Sequence, residues 1–302
     1  MIVSCGEALV DMVPHPVVGG APFNVAVAAA RLGVPAAFVG GISTDEYGEV
    51  LLEHLQVNGV DVSLCTRHEA ATARAIVEYT PRLRFRFEGE GTADTLLADA
   101  DLSALPGGPH VLHAGALGMF RGVTASTLAD FAERHDGLVS LDPNVRPQII
   151  GDLDAWMSFH DRWLAVTDIY KASDEDFEWI WPGRSAIDTA DELLVAGVGV
   201  VIITRGSDGI TVVTGDGQAE VPAPIVEVVD TVGAGDSLIA AVLASLIELG
   251  ADRGREQLDA LSLVTWVDIA DRAAQAAAIT CTRAGADTPH RHELDWSDLV
   301  AD

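Results

Sequence analysis

The chain has 302 residues, 49% of them hydrophobic and 21% charged, which suits a soluble globular protein of one large domain or two smaller ones at about 150 residues each. Its formal net charge is −28, from 18 Lys and Arg against 46 Asp and Glu. That balance excludes the basic footprint of a nucleic-acid binder, and an anionic membrane surface would repel it.

Apolar strand-like runs alternate with helical patterns along the chain. Ile2–Cys5 reads as a strand, followed by Gly6-Glu7-Ala8-Leu9-Val10-Asp11 and the pair Gly19-Gly20. A helix over Phe23–Leu32, closed by Gly33, precedes a strand at Ala36–Gly40 and a helix at Tyr47–Val57. Residues 61–95 break the alternation: Val62–Cys65, Thr72–Tyr79 and Arg84–Phe87 read as strands with no helix between them, with a turn at Thr80–Leu83. The alternation resumes with strands at Val111–Ala114, Leu138–Leu141, Ile169–Lys171 and Val200–Thr204, and helices at Ala125–Arg134, Ala155–Trp163 and Ala186–Ala196. Residues 209–229 read as a β meander, and helices follow over Ala234–Leu249, Arg255–Leu263 and Trp266–Cys281. Short apolar strands alternating with helices predict an α/β fold: three layers, with a mostly parallel sheet covered on both faces. The stretch 61–95 then reads as a small β insertion on this body, and the whole of 1–302 as one domain.

The cysteines, Cys5, Cys65 and Cys281, are odd in number and include no C-x-x-C pair, so a disulfide framework and a structural zinc site are not expected. The start MIVSCGEALVD has neither a basic region nor a long apolar run, and Leu238–Leu249 is too short to span a bilayer. A cytoplasmic location is the expectation. Lys171 is the sole lysine beside 17 arginines and sits in Tyr-Lys-Ala. A P-loop needs Gly-Lys-Ser/Thr and a protein kinase needs a strand lysine in a Val-Ala-Ile-Lys context, so both classes are excluded.

The strongest local signal is Asp230-Thr231-Val232-Gly233-Ala234-Gly235-Asp236-Ser237. A strand runs into a turn of small residues and a long apolar helix begins. Backbone N–H groups and the helix dipole then converge on one spot, an anion hole built without lysine. A carboxylate at that spot repels phosphate unless it has a task, and taking a proton from an attacking hydroxyl is such a task. Taken alone, the run fits equally a tight turn with Asp236 as a helix-start acid.

Together with Gly19-Gly20-Ala21-Pro22-Phe23-Asn24-Val25-Ala26, the DTVGAGD run resembles the two signatures of the PfkB carbohydrate kinases, which have the ribokinase-like fold with a β lid. Among them the chain is most similar to the fructokinases, through GEALVD, Ala93-Asp94 and Asp142-Pro143-Asn144-Val145-Arg146-Pro147. The resemblance spans the whole chain. It implies an ATP-dependent sugar kinase, with Asp236 as base and Gly233, Ala234 and Gly235 around the transferring phosphoryl group. Asp11, at the end of the first strand, and Asn24 become sugar contacts, and Gly19 and Gly20 the hinge of the lid over 61–95 with its 13–21 flap. Asn144 and Arg146, at a C-terminal strand end, face the sugar or the phosphates. Lys171, Ser173, Thr204, Gly206, Gly209, Ala277 and Thr280 fall on the nucleotide side. Asp176 or Glu175 is implied in the Mg²⁺ water network and Asp230 in a K⁺ site. The lid is expected to pair with a second copy as a homodimer, with the sugar and ATP as the only other partners.

Three departures bear on the substrate. The segment between Asp11 and Gly19 is short, Ser173-x-x-Asp176 stands where many members have Asn-x-x-Glu, and Phe85-Arg86-Phe87-Glu88-Gly89 lacks the tyrosine and arginine of the usual fructokinase lid. A kinase for 2-keto-3-deoxygluconate, ribose or a nucleoside therefore stays open. So does a non-catalytic binder, against which Asp236 argues. A dinucleotide-dependent oxidoreductase is disfavoured, because Leu238 occupies the third small position of G-x-G-x-x-G.

Overall fold

The computed structural model describes residues 1–13, 15–80, 82–99, 102, 110–296 and 299. The chain opens with strands β1 (Ile2–Cys5), β2 (Leu9–Val13) and β3 (His15–Gly19), helix α1 (Ala21–Arg31), β4 (Ala36–Ser43), α2 (Glu46–Val57), β5 (Cys65–His68), β6 (Ala73–Thr80) and β7 (Arg82–Glu88). It continues through β8 (Val111–Gly115), α3 (Gly122–Ala132), β9 (Val139–Asp142), α4 (Leu153–Leu164), β10 (Ile169–Ser173), α5 (Asp174–Ile180), α6 (Ala186–Ala196) and β11 (Val200–Thr204). The last elements are β12 (Ile210–Thr214), β13 (Gly217–Val221), α7 (Ala234–Glu248), α8 (Arg255–Asp259) and α9 (Leu263–Cys281).

Nine strands form one sheet in the order β13-β12-β11-β10-β9-β8-β1-β4-β5, in which every pairing is parallel except those β12 makes with β11 and β13. Successive residues of each strand enter opposite layers, as the period of two requires. Ile2, Val111, Ile169 and Val200 join α1, α7 and α9 in one core. Val3, Leu112, Tyr170 and Val201 join α3, α4, α5 and α6 in the other. The mixed α/β fold with a large, mostly parallel, helix-covered sheet is the one the alternation predicts. Strand order reverses at β1, between β4 and β8, and such a switch point leaves a crevice at the C-terminal strand ends. No helix among the described residues is long and apolar enough to cross a membrane.

The second sheet differs from expectation. It has four strands, β3-β2-β6-β7, so half of it comes from residues 9–19, where a short flap was expected. A flap that carries two prolines in its sequence reads as loop, because the partner that makes its described residues a strand, β6, lies some 60 residues away in sequence. Asp11 is therefore mid-strand in β2, not at the end of the first strand. Conversely, residues 65–68 leave the expected insertion: β5 pairs parallel with β4 at the edge of the large sheet. A strand after a crossover helix returns parallel beside the strand before it, and α2 is that helix. The meander over 209–229 ends at Val221, and residues 222–233 run on without a ladder. The expected Thr80–Leu83 turn contains Pro81, which lies outside the described residues.

Candidate active site

Between the two sheets, over the switch point, lies a cavity of about 810 Å³. Register explains its outer wall: Val17 pairs with Asp11, Asp11 with Ala75 and Ala75 with Phe87, so one row across the second sheet faces inward. Asp11 is crowded by design of its neighbour, since a Cβ on Gly19 would stand 2.8 Å from Asp11 Oδ2. Gly20 takes a φ of 114°, and a Cβ there would meet the Glu7 carbonyl oxygen at 2.5 Å. The glycine pair thus has steric work at the junction between second sheet and α1.

The floor is the start of α7. Gly233 caps it at φ 78°, a left-handed conformation, with Ala286 packed against the place of a side chain. Ala234 N–H bonds to Thr231 O, while the next N–H groups of the first turn have no intrahelical acceptor. A Cβ on Gly235 would lie 2.8 Å from Lys171 Nζ, so the ammonium sits directly beneath that turn. Backbone N–H groups, helix dipole and the one lysine therefore converge on a site for an anion. Asp236 follows, buried, and its Oδ2 accepts from Asn24 Nδ2 at 2.8 Å. Burial raises its pKa to about 6 against the Asn24 hydrogen bond; Asp142 raises it further, while Lys171 and Arg146 oppose. Asp11 reaches about 6 by burial too, with Arg146 lowering it.

Lys171 Nζ donates to Asp142 Oδ2 at 2.7 Å. Burial disfavours its charge, but Asp142, with Asp176 and Asp236, more than offsets this and holds the lysine protonated. Asp142 Oδ1 accepts from the Asn144 N–H at 3.2 Å, and Asn144 adopts a positive φ of 39° that turns the chain over the cavity. Arg146 lines the mouth and its Nη1 donates to the carbonyls of Asn144 and Val145. Asp230 accepts from Val232 N and Gly285 N, which ties the loop before α7 to the loop after α9. Those N–H bonds hold its carboxyl below the usual range although burial opposes them.

A second cavity of about 380 Å³ lies on the other side of the α7 start. Thr204, Gly206, Gly209 and Ala277 line it, with Ala234 and the apolar Ile225, Val228 and Leu238. Thr231 and Gly235 line both cavities, so the two meet at the first turn of α7.

Four expected site residues, Thr280, Glu175, Asp176 and Ser173, are placed otherwise. Thr280 is buried and its hydroxyl donates to Ala276 O at 3.0 Å, a common use of a helical threonine, so it faces neither cavity. Glu175 is exposed on α5 and lines a separate surface depression beside Trp179. Asp176 is buried, but both its oxygens are engaged: Oδ1 accepts from Val145 N at 2.9 Å, and Oδ2 from Ser173 N and Oγ. Ser173 and Asp176 form a capping box, which starts α5 and anchors the 142–146 loop. Among the described residues, no three His, Cys, Asp or Glu side chains gather as a metal cluster. One residue without an expected role belongs to the cavity wall: Glu7 accepts from Ala21 N at 3.1 Å and Gly118 N at 2.8 Å, with its pKa raised to about 7 by burial. Its signal was the carboxylate in a fully apolar strand exit.

Comparison with known proteins gives the same picture. The family model for pfkB family carbohydrate kinases matches residues 14–293. A fructokinase of Rhizobium leguminosarum bv. trifolii is 39% identical over 259 residues, covering 82% of this chain and 79% of its own. The crystal structure of fructokinase from Vibrio cholerae O395, in fructose, ADP and calcium ion bound form, superposes with a TM-score of 0.85 at 26% identity, covering 99% of this chain and 98% of that one. Aminoimidazole riboside kinase from Salmonella enterica, complexed with aminoimidazole riboside and an ATP analog, gives 0.80 at 27% identity and covers 94% of each chain. This protein belongs to the pfkB family of carbohydrate kinases, phosphotransferases whose acceptor is an alcohol group.

Proposed function

We propose that the protein is an ATP-dependent fructokinase, transferring the γ-phosphoryl group of ATP to the 6-hydroxyl of fructose. The observation that carries this is the 2.8 Å hydrogen bond from Asn24 to Asp236, which orients a buried carboxylate at the one place where a polar and an apolar cavity meet. The sugar occupies the larger cavity, with Asp11 and Asn24 accepting from and donating to its hydroxyls. The adenine end of ATP lies in the apolar cavity, with its phosphates along Thr204 and Gly206 toward Gly235. The names of the relative and of the solved structures favour fructose over other sugars.

Asp236, with a pKa of about 6, is ionised at neutral pH and takes the proton of the 6-hydroxyl as its oxygen attacks the γ-phosphorus. The bond from that phosphorus to the bridging oxygen breaks and ADP leaves. The N–H groups of Gly233 and Gly235 and the Lys171 ammonium face the charge spread over the γ-oxygens. Mg²⁺ fits as an ion carried by the ATP phosphates, since it keeps most of its waters and needs few carboxylates. The carboxyls of Asp142 and Asp176 are already taken up by Lys171, Asn144, Val145 and Ser173, so the ion would be held through the phosphates and its own waters, and when bound it would neutralise phosphate charge. The reading also takes in K⁺ beside the loop that Asp230 ties down.

ATP consumption across ketoses, aldoses, ketodeoxy acids and nucleosides tests the assignment; fructose should give the highest kcat/KM. A nucleoside in first place would favour the second reading, motivated by the likeness to aminoimidazole riboside kinase and the lid motif without its tyrosine and arginine. The second sheet, with open edges at β3 and β7, acts in this proposal as a lid that pairs with a second copy. Light scattering should give a dimer mass, and a monomer at micromolar concentration would refute the pairing.

A further inference from the structure

Phe87 ends the inward row of the second sheet and sits on its edge strand, β7, with no strand beyond it. What stands behind it belongs to the body. Arg121, the residue before α3, lays its guanidinium over the Phe87 ring at 4.6 Å from the centroid. Its Nη1 pairs with Asp94 Oδ2 at 2.9 Å, and its Nη2 donates to the Gly89 carbonyl. Thr92 Oγ1 donates to Asp94 Oδ1 at 2.5 Å and lies 2.9 Å from the same carbonyl. The mount is rigid: Thr124 Oγ1 donates to Asp94 O at 2.7 Å and accepts from Leu97 N at 3.1 Å. Asp94 is buried and Arg121 partly buried, with side chains 2% and 13% exposed. Gly89 has no alternative here, since a Cβ would enter both the Phe87 ring and the guanidinium. A planar, weakly hydrated guanidinium can stack and form a fork at once, which an ammonium cannot.

We propose that Arg121 is a positioning residue for the acceptor sugar: it fixes the Phe87 ring as the outer wall of the larger cavity and so sets sugar affinity, leaving the nucleotide side untouched. The inference rests on the reading that this cavity takes the sugar. The cation that backs this wall comes from the body, from the residue before α3.

The test compares Arg121→Met, Arg121→Lys, Phe87→Leu and the Met/Leu double variant by steady-state kinetics, with the sugar the wild-type protein turns over best. Arg121→Met should raise the sugar KM about tenfold, with kcat within about threefold and the ATP KM within about twofold. Arg121→Lys should fall between it and wild type. Added to Phe87→Leu, the Met change should cost less than about twofold more, because both act through one ring. A sugar KM within twofold of wild type for Arg121→Met, or effects that multiply in the double variant, would overturn the proposal. If Arg121→Met does not fold, Arg121→Lys carries the same comparison. If the wild-type protein turns over no sugar, the functional reading falls separately. Amide exchange at residues 86–89 then decides: Arg121→Met must speed it, and unchanged exchange overturns the wall.

Discussion

The two cavities that meet at α7 are built on opposite principles. The larger one carries the buried carboxylates Asp236 and Glu7 and the half-buried Asp11, each with its pKa raised by desolvation. The smaller is lined by glycine, alanine and branched apolar side chains. A polyol is distinguished by hydrogen bonds to fixed polar groups, so that wall must keep costly carboxylates dry. A flat heterocycle is held by shape, so the other wall needs only small and apolar residues. One cavity spends stability on chemistry and the other adds to stability by packing.

The sharpest way to break this contrast is Asp236→Asn. Turnover should fall by about 10²–10⁴-fold with ATP binding retained, because asparagine keeps the geometry but cannot take the proton. A loss of less than about tenfold would remove Asp236 from the role of base. In the wild-type protein, kcat/KM should decline on the acid side around pH 6, as Asp236 and Asp11 protonate. The same variant should be more stable at neutral pH, by of order 3 kcal/mol. A carboxyl whose folded pKa lies above its unfolded value costs nothing below about pH 4, where both states are protonated. The cost grows as pH rises towards 6 and is complete above it, so the melting curves of variant and wild type should converge in acid and separate above pH 6. Equal melting temperatures at pH 8 would mean that Asp236 is not strained by burial. On the apolar side, Ala277→Leu should raise the ATP KM about tenfold with the sugar KM unchanged, since overfilling costs about 1–3 kcal/mol. A change in sugar KM instead would mean that the cavities are not separate in function.

How much of this was legible in the sequence follows from range. Strands β1, β4, β8, β9, β10 and β11 announced themselves by their own apolar runs, and Gly233 to Asp236 by small residues before an apolar helix. Pairings across long separations did not: β2 becomes a strand only against β6, and β5 joins the large sheet only because α2 returns it to β4. Side-chain commitments were equally hidden. Asp176 looked like a carboxylate free for magnesium waters, yet its oxygens cap α5 and hold Val145. Thr280 carries the right residue type at the right place, but its hydroxyl turns back on its own helix. Arg121 gave no signal, because neither Asp94 nor Phe87 is near it in sequence.

The single lysine has a chemical consequence outside catalysis. Reducing sugars condense with unprotonated primary amines to form Schiff bases, the first step of glycation. Lys171 is 5% exposed and its proton is held by Asp142, so its lone pair is not free to attack a carbonyl. Every other side-chain cation in the sequence is a guanidinium or an imidazole. A protein that takes up a reducing sugar thus offers it no lysine side chain to modify, and aldehyde or ester reagents aimed at amines are left with the α-amino group of Met1.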